Sequence, residues 1–429
     1  MGIDRVEQIE SYMNRLFPIC RSITGDGNRK TLHILQELIP ELRLIEYPSG
    51  TKVYDWTIPD EWNIKGAHIV ENKSFGRIVD FAKNNLHVMS YSEPVGKIVG
   101  LDELAPHLHY SGTRPFDIPY KMSYYQRNWG FCISQMQYMH DFDDFRNGLW
   151  AVYIDSTLKP GSLTVGELLI PGRSSQEYLI STYICHPSMA NDNLSGVVMT
   201  AFLARELSKM DLNYSYRILF VPETIGPIAY MAHNEEAMKK IDCGLVVSCV
   251  GGPGLNIDYK ESWDDEHWIN DVAGSALLDL WYRGLLRRGY PHDCHGSDER
   301  QYSSPDFRIN MVTLSSEMYY DYPEYHTSAD NLEFVSMPRI NEMLNRYLRV
   351  IDNMDKNVPV SGLVASGEPF LSNMGITDTS DLCNTELNAI LWAHHLGECT
   401  TFDVAKKLGI SVSEVYDILK ERGLLNVIT

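Results

Sequence analysis

The sequence predicts an α/β protein built on a doubly wound, mostly parallel sheet, with a β-rich insertion and a small helical module at its carboxyl end. Three observations carry this expectation. From about residue 149, apolar strand-like runs alternate with segments of helical periodicity, the pattern of a sheet covered by helices on both faces. Between Lys52 and Tyr138 the texture changes to short aromatic stretches broken by Pro, Gly and Asp, which suits antiparallel strands and turns. After Asn357 a Pro- and Gly-rich linker leads into a helix, and then into the helix, Gly-containing turn and helix of a helix-turn-helix unit.

Taken in order, residues 3–19 and 28–40 read as helices separated by SITGDGN, with a strand at 42–47 before the turn PSG. The insertion follows with KVYDWTIPDEW, IKGAHIVE and LHVMSYSEPV; its Trp56, Trp62 and Tyr91 either build a core of their own or line a cleft. Strands are then expected at 150–155, 163–170, 178–185, 215–221, 243–249 and 309–315, and helices at 194–210, 226–240, 270–288 and 336–355. Residues 1–51 and 139–357 thus form one discontinuous α/β domain, 52–138 the insertion, and 365–429 a winged-helix-like module. The second helix of that module, SVSEVYDILKERG, sets Glu414, Asp417 and Glu421 against Lys420 and Arg422. So acidic a surface suits a packing or protein-contact role better than DNA binding.

Composition narrows the function classes. At 429 residues the chain exceeds one ordinary core, and 44% hydrophobic with 22% charged residues is a globular profile. A net charge of −20 disfavours phosphate-backbone binding, so nucleic acid is a poor candidate partner. The eight cysteines are scattered, without a CxxC pair, and read as reduced thiols. The amphipathic start MGIDRVEQIESYMNRLF lacks a signal-peptide core, and no run reaches the roughly 18 apolar residues of a membrane span, so a cytoplasmic protein with no membrane partner is expected. A homo-oligomer fits the extra modules.

The most informative stretch is ICHPSMANDNLSG at 184–196. It sets His186 just past the buried run EYLISTYIC and Asp192 at the mouth of a helix. The carboxyl end of a parallel strand is where open α/β sheets bind ligands, although an Asn191 or Asp192 helix cap beside a surface histidine is the plainer alternative. Three further loops end in polar residues: Glu223 after RILFVP, Ser248 and Cys249 after LVV, and His326 among the aromatics of EMYYDYPEYHTSADN. His, Asp, Glu and His at successive loops of one sheet outweigh the bland reading of each alone.

This ordered set resembles the aminopeptidase-like zinc exopeptidases, a superfamily that includes bacterial leucyl aminopeptidases and zinc carboxypeptidases. NDNLSG is similar to its Asp-Asn-Ser-Gly signature and YHTSADN to its Tyr-His-Thr…Asp signature. Over nearly its whole length the chain looks like an uncharacterised bacterial branch, sometimes labelled as polysaccharide-biosynthesis proteins, with an inserted β domain and a winged helix. The segments that carry this finer likeness are RSITGDGNRKTL, VYDWTIPDEWN, SDERQY and YHTSADNLEFV. The resemblance implies a phosphorylase/hydrolase-like fold and a metal held by His186, Asp192 and His326. It also exposes departures. Where dinuclear members carry two adjacent glutamates this chain has Glu223 followed by Thr224, and where they use an aspartate it has Ser248 and Cys249.

Two imidazoles and one carboxylate suit a single catalytic zinc with an open position, so one Zn2+ per chain is expected. Such a zinc lowers the pKa of its water toward about 7. Glu223 is then the general base, and Tyr325 and Arg300 are candidate donors to the oxyanion. Arg300 could instead grip a substrate carboxylate, or belong to a salt-bridged DER cluster; Asp330 would brace the His326 loop or cap the next helix. The expected function is a zinc-dependent exopeptidase acting on a peptide or peptide-like small substrate. A catalytically impaired binding protein and an amide hydrolase acting on a sugar derivative are the alternatives.

Overall fold

The computed structural model describes residues 4–71, 76–142, 148–277, 279, 282–285, 296–363, 366–376 and 384–426. Its centre is a seven-stranded sheet in the order Arg43–Pro48, Ser162–Ile170, Ser215–Val221, Glu177–Tyr183, Cys243–Val246, Asn310–Ser315 and Asp258–Lys260. The four strands from Ser215–Val221 to Asn310–Ser315 run parallel, and antiparallel strands close both edges. The parallel strands are buried along almost their whole length, which is why their sequences are continuous apolar runs. The chain crosses from Glu177–Tyr183 to one neighbour and then returns to the other side, so a topological switch point lies at the end of this strand.

Helix Gly196–Leu207 follows that switch point and is apolar on nearly every side, because the sheet covers one face and helices Arg5–Leu16 and Met337–Asp355 cover the others. Met337–Asp355 buries a single stripe. It starts at Ser336, whose hydroxyl accepts from Arg339 N, with Pro338 in its first turn.

The expected strand at 150–155 does not belong to this sheet. Trp150–Lys159 is the centre of a second, four-stranded antiparallel sheet, flanked by Glu61–Glu71 and Val95–Val99, with Arg77–Asp80 beyond Glu61–Glu71. Its burial alternates residue by residue, with Trp150, Val152 and Ile154 inward and Tyr153 outward, the signature of a half-solvated antiparallel strand. Trp62 and Tyr91 belong to the core of this region and stack at 5.9 Å, whereas Trp56 is 40% exposed.

Other boundaries moved for local reasons. The helix expected from 194 begins at Gly196, after an irregular turn over Ala190–Ser195. The helix expected over 226–240 breaks at Asn234 into Ile225–His233 and Glu235–Met238. Strand 243–249 ends at Val246, where the chain turns toward the cleft. Of the helix expected over 270–288, Trp268–Ser275 is a regular helix, and much of the remainder lies outside the described residues.

The tail contains helices Thr385–Leu396, Thr401–Leu408 and Val412–Glu421. Thr400 and Asp403 form a capping box, and Gly409 ends the middle helix at φ 68°. Isolated bridges join Pro359 to Thr400 and Val360 to Leu425, and among the described residues of the tail there is no β-hairpin wing. Tyr416 Oη donates to Asn213 Oδ1 at 3.2 Å, and Val412, Val415 and Leu419 join the main core. Cys20, Cys132, Cys185, Cys243, Cys249 and Cys399 are free thiols; Cys294 and Cys383 lie outside the described residues. Among the described residues no helix is long and apolar enough to cross a membrane.

Phe202, fully buried under the sheet, anchors this packing. Phe202→Ala is expected to cost about 3–5 kcal/mol in urea unfolding, whereas Ile98→Ala, on the exposed face of the second sheet, costs under about 0.5 kcal/mol.

Candidate metal centre

Three loops that leave the carboxyl ends of the parallel strands meet above the switch point. His186 follows Glu177–Tyr183. Arg21 Nε donates to its carbonyl at 3.1 Å, and its Nδ1 lies 3.5 Å from Cys185 Sγ, which leaves Nε2 to face the cleft. Asp192 is fully buried, and its Oδ1 accepts from Tyr183 Oη at 2.6 Å. Its Oδ2 lies 3.1 Å from His326 Nε2 and 3.9 Å from His186 Nε2. Asp192 Oδ2 and His326 Nε2 are nonetheless both buried without a partner in hydrogen-bond geometry.

The three side chains offer ligand atoms that all lie within 4.8 Å of one another. Converging lone pairs that satisfy nothing else are what a small divalent cation would satisfy, and a His2Asp set is of the kind that binds zinc. The residues therefore fit the metal that the sequence implies.

The electrostatics agree with that fit. Burial lowers the His186 pKa to about 4, against the opposing pull of Asp192, so the ring is neutral at pH 7, as a ligand must be. Burial alone would raise Asp192, but the His186 and His326 rings and the Tyr183 hydroxyl outweigh it and hold the carboxyl at about 2.

The turn Asn191–Asp192–Asn193 is pinned from every side. Asp330 Oδ1 accepts from Asn191 N at 2.6 Å and Oδ2 from Asp192 N at 2.9 Å. Burial pushes the Asp330 carboxyl up to about 7 against those two amides. Asp330 thus braces the Asp192 turn and, by accepting from Tyr322 Oη at 3.1 Å, holds it to the loop that carries His326, while the next helix is capped by Ser336. Asn193 Nδ2 donates to Thr182 Oγ1 at 2.9 Å and Tyr183 O at 3.1 Å, while its Oδ1 accepts from Cys249 N at 3.1 Å. No side chain of this turn caps the following helix, and the Asp192–Asn193 peptide is cis. Gly196 packs so tightly that a Cβ there would run into Asn193 Oδ1 and lie 2.8 Å from Val247 O.

Glu223 leaves strand Ser215–Val221 on the other flank. Its Oε2 is 3.9 Å from His186 Nε2, and Ser297 Oγ donates to its Oε1 at 2.9 Å. Burial, then the nearby Asp192, push its pKa well above the usual carboxylate range, against Ser297, His326 and Arg300. Thr224 sits at φ 66°, a rare conformation for a β-branched residue, and its N–H donates to the buried Asp298 Oδ1 at 2.7 Å. Thr224 offers no carboxylate beside Glu223. Cys249, the other departure, turns into an apolar cluster with Met318, Tyr319 and Tyr322.

Tyr325 stacks on His326 with ring centroids 3.9 Å apart. Arg300 is exposed and stands outside the His186–Asp192–His326 group. The expected DER cluster is divided: Glu299 Oε1 accepts from the buried Lys260 at 2.8 Å, and Arg300 has no ion pair among the described residues.

The β-rich insertion supplies a wall that sequence reasoning missed. Tyr120 N donates to His326 O at 2.8 Å, Ser328 N donates to Ile118 O at 2.8 Å, and the Tyr120 ring lies 5.2 Å from His326 and 5.4 Å from His186. Beside the ligands, a cavity of about 270 Å³ is lined by Ile23, Trp56, Tyr120, Met122, Tyr125 and Ile225 among others. Arg21 and Ser297 fall within segments that the sequence had flagged, whereas Tyr183 and Tyr120 gave no periodic or motif signal.

A family model described as Domain of unknown function (DUF4910) matches residues 10–357. The chain belongs to that family. A Clostridium acetobutylicum protein with the provisional name of polysaccharide biosynthesis protein with aminopeptidase-like domain is 42% identical over 414 residues, 95% of this chain and 93% of its own. A crystal structure from Clostridium acetobutylicum, provisionally named a peptidase, matches with a TM-score of 0.86 at 39% identity, covering 98% of this chain and 96% of that one. BSAP, a zinc aminopeptidase from Bacillus subtilis, matches with a TM-score of 0.58 at 12% identity over 81% of this chain and 95% of its own, a likeness of fold. This DUF4910 chain thus has the aminopeptidase-like fold, with the Asp192 turn at its switch point.

The His186 shift gives a pH dependence. The folded pKa of about 4 lies below the ordinary value of 6.5, so between them the unfolded chain binds a proton that the folded one does not. In chelator-treated protein the His186 contribution, on the order of 3 kcal/mol, should therefore be lost as pH falls from about 6.5 toward about 4, while the raised Glu223 and Asp330 carboxyls act in the opposite sense. His186→Gln should flatten that slope in urea titrations at pH 7, 6 and 5; an unchanged slope would mean that the ring is not held neutral.

Proposed function

We propose that this chain is a metal-dependent amide hydrolase of exopeptidase type that works with one zinc ion held by His186, Asp192 and His326. The observation that carries the reading is the convergence of Asp192 Oδ2 on both imidazoles, 3.1 Å from His326 Nε2 and 3.9 Å from His186 Nε2, beside Glu223. Thr224 and Cys249, which leave a second metal without its usual carboxylates, favour a single ion.

A zinc held there would polarise a substrate carbonyl and make water a nucleophile near neutral pH. Glu223 receives the proton from that water and delivers it to the leaving nitrogen. Ser297 fixes Oε1, so Oε2 is the atom free to exchange the proton. A carboxyl raised by burial holds a proton more readily at neutral pH than an exposed one, which suits a group that must both take and return it. Burial also keeps Tyr325 protonated, and its hydroxyl serves as donor to the oxyanion. The cavity beside the ligands suits a small peptide or peptide-like substrate.

The proposed setting is the cytoplasm, which the free thiols suit. The helical tail reads as a packing module with no nucleic-acid role: Arg422 is engaged by Glu386 and the Met374 carbonyl, and Lys420 lies over Tyr416.

Elemental analysis of protein never exposed to chelator should find about one zinc per chain. His326→Ala should lose it, while Glu223→Gln should keep the metal and lose at least about a hundredfold in hydrolysis of a responsive peptide. Protein without metal, or with equal metal in both variants, would overturn the hydrolase reading in favour of a binding protein.

A further inference from the structure

We infer that the site takes N-acylated amino acids and short N-blocked peptides, with the substrate's free carboxylate paired to Arg300 and its apolar acyl group in the aromatic cavity. The inference rests on the hydrolase reading above and extends it to the substrate and the direction of attack.

Two depressions adjoin at Trp56 and Thr224, which line both, and the first is also lined by Glu223. One is the cavity of Ile23, Trp56, Tyr120, Met122, Tyr125 and Ile225, whose lining includes, among the described residues, a single carboxylate, Glu223. The other is open, and it sets Arg300, Gln301, Ser303 and Ser304 beside the apolar Trp56 and Pro305.

Arg300 is conspicuous for what it lacks. In a chain of net charge −20, guanidinium groups find carboxylates readily, and Arg29, Arg114, Arg127, Arg217 and Arg346 each hold one. Arg300 holds none among the described residues, because its neighbour Glu299 is taken by Lys260 and Asp298 is turned inward onto Thr224 N. Its charge still reaches the centre, where it opposes in small part the burial that raises Glu223 and Asp298. An exposed, unneutralised guanidinium at the mouth of a catalytic cleft is a receptor for a planar anion, and a carboxylate can meet it with two parallel hydrogen bonds.

The same geometry argues against a free amino terminus. A substrate ammonium needs a carboxylate acceptor, and among the described residues the only one lining the cavity is Glu223, which the reaction needs as a base. On the other side the ammonium would meet Arg300. An acyl group bearing no charge fits the aromatic wall, and an α-carboxylate fits the open side. In the reaction water adds to the acyl carbonyl and the carbon–nitrogen bond breaks. Glu223 passes the water's proton to the departing nitrogen, giving an acyl carboxylate and a free amino acid.

The test uses three probes on the zinc-loaded protein: N-benzoyl-L-alanine, N-benzoyl-L-alaninamide and L-alanine 4-nitroanilide. Wild type should favour the acid over the amide by about tenfold or more in kcat/KM and cleave the free-amine nitroanilide slowest. Arg300→Gln should bring the acid-to-amide ratio close to one, mainly through KM for the acid, and Arg300→Lys should retain part of the preference. Equal cleavage of acid and amide, preference for the nitroanilide, or an Arg300→Gln variant that slows both benzoyl probes alike would overturn the inference. Calorimetric titration of Glu223→Gln holoprotein with the two benzoyl probes separates the two readings. Tighter binding of the acid by about tenfold, lost when Arg300→Gln is added, supports the carboxylate site even if wild type hydrolyses neither probe, in which case the hydrolase reading alone fails. Equal binding, or none, overturns the assignment of Arg300.

Discussion

The buried carboxylate of Asp330 is the contact on which the rest of the centre depends. It accepts the backbone N–H groups of Asn191 and Asp192 and the hydroxyl of Tyr322 at 3.1 Å, so it ties the turn after one central strand to the loop that carries His326. Two loops that leave different strands are thereby held at one separation. A metal site needs this, because ligands displaced by even half an ångström lose much of their affinity. Asn193 does the complementary work on the other side of the turn, bonding to the ends of the neighbouring strands at Thr182, Tyr183 and Val247.

Burial sets the chemistry of the groups so held, because it disfavours the charged form of each and their neighbours oppose it to different extents. It keeps His186 neutral and raises Glu223, while Asp192 stays ionised because two imidazoles and a phenol face it. Three titratable groups within a few ångströms are thus driven to three different proton affinities, the arrangement expected where one must bind a cation and another must exchange a proton. The insertion completes this environment, since the Tyr120 ring covers both imidazoles and the Ile118–Tyr120 segment is hydrogen-bonded to the His326 loop. Trp62 and Tyr91 are core residues of this region, and Trp56 lines the cleft.

Much of the sheet was legible because its parallel strands are buried on both faces and so read as unbroken apolar runs. The strand at Trp150–Lys159 was placed in the wrong sheet, although its inward Trp150, Val152 and Ile154 and outward Tyr153 record the pairing it makes. Proximity in the chain to Ser162–Ile170 obscured that record. At the site, His186, Asp192, Glu223 and His326 were legible because each ends a strand-like run or sits in a distinctive loop. Tyr183 and Tyr120 were not, since one looks like any strand aromatic and the other lies in an insertion whose docking depends on contacts more than 200 residues away in the chain, such as Ile118 N to Ser328 Oγ at 2.9 Å.

The sequence by itself determined the α/β class, the order of the central strands along the chain and the residue types available at each strand end, because hydrophobic periodicity and chemical identity are local properties. Only the tertiary structure decided which of those residues meet. Asp330 closes on the Asp192 turn, Glu299 pairs with Lys260 and not with its neighbour Arg300, and Cys249 packs into apolar surroundings. These outcomes follow from how loops of distant sequence are pressed together over one sheet, where a buried polar group must find a partner wherever packing brings one.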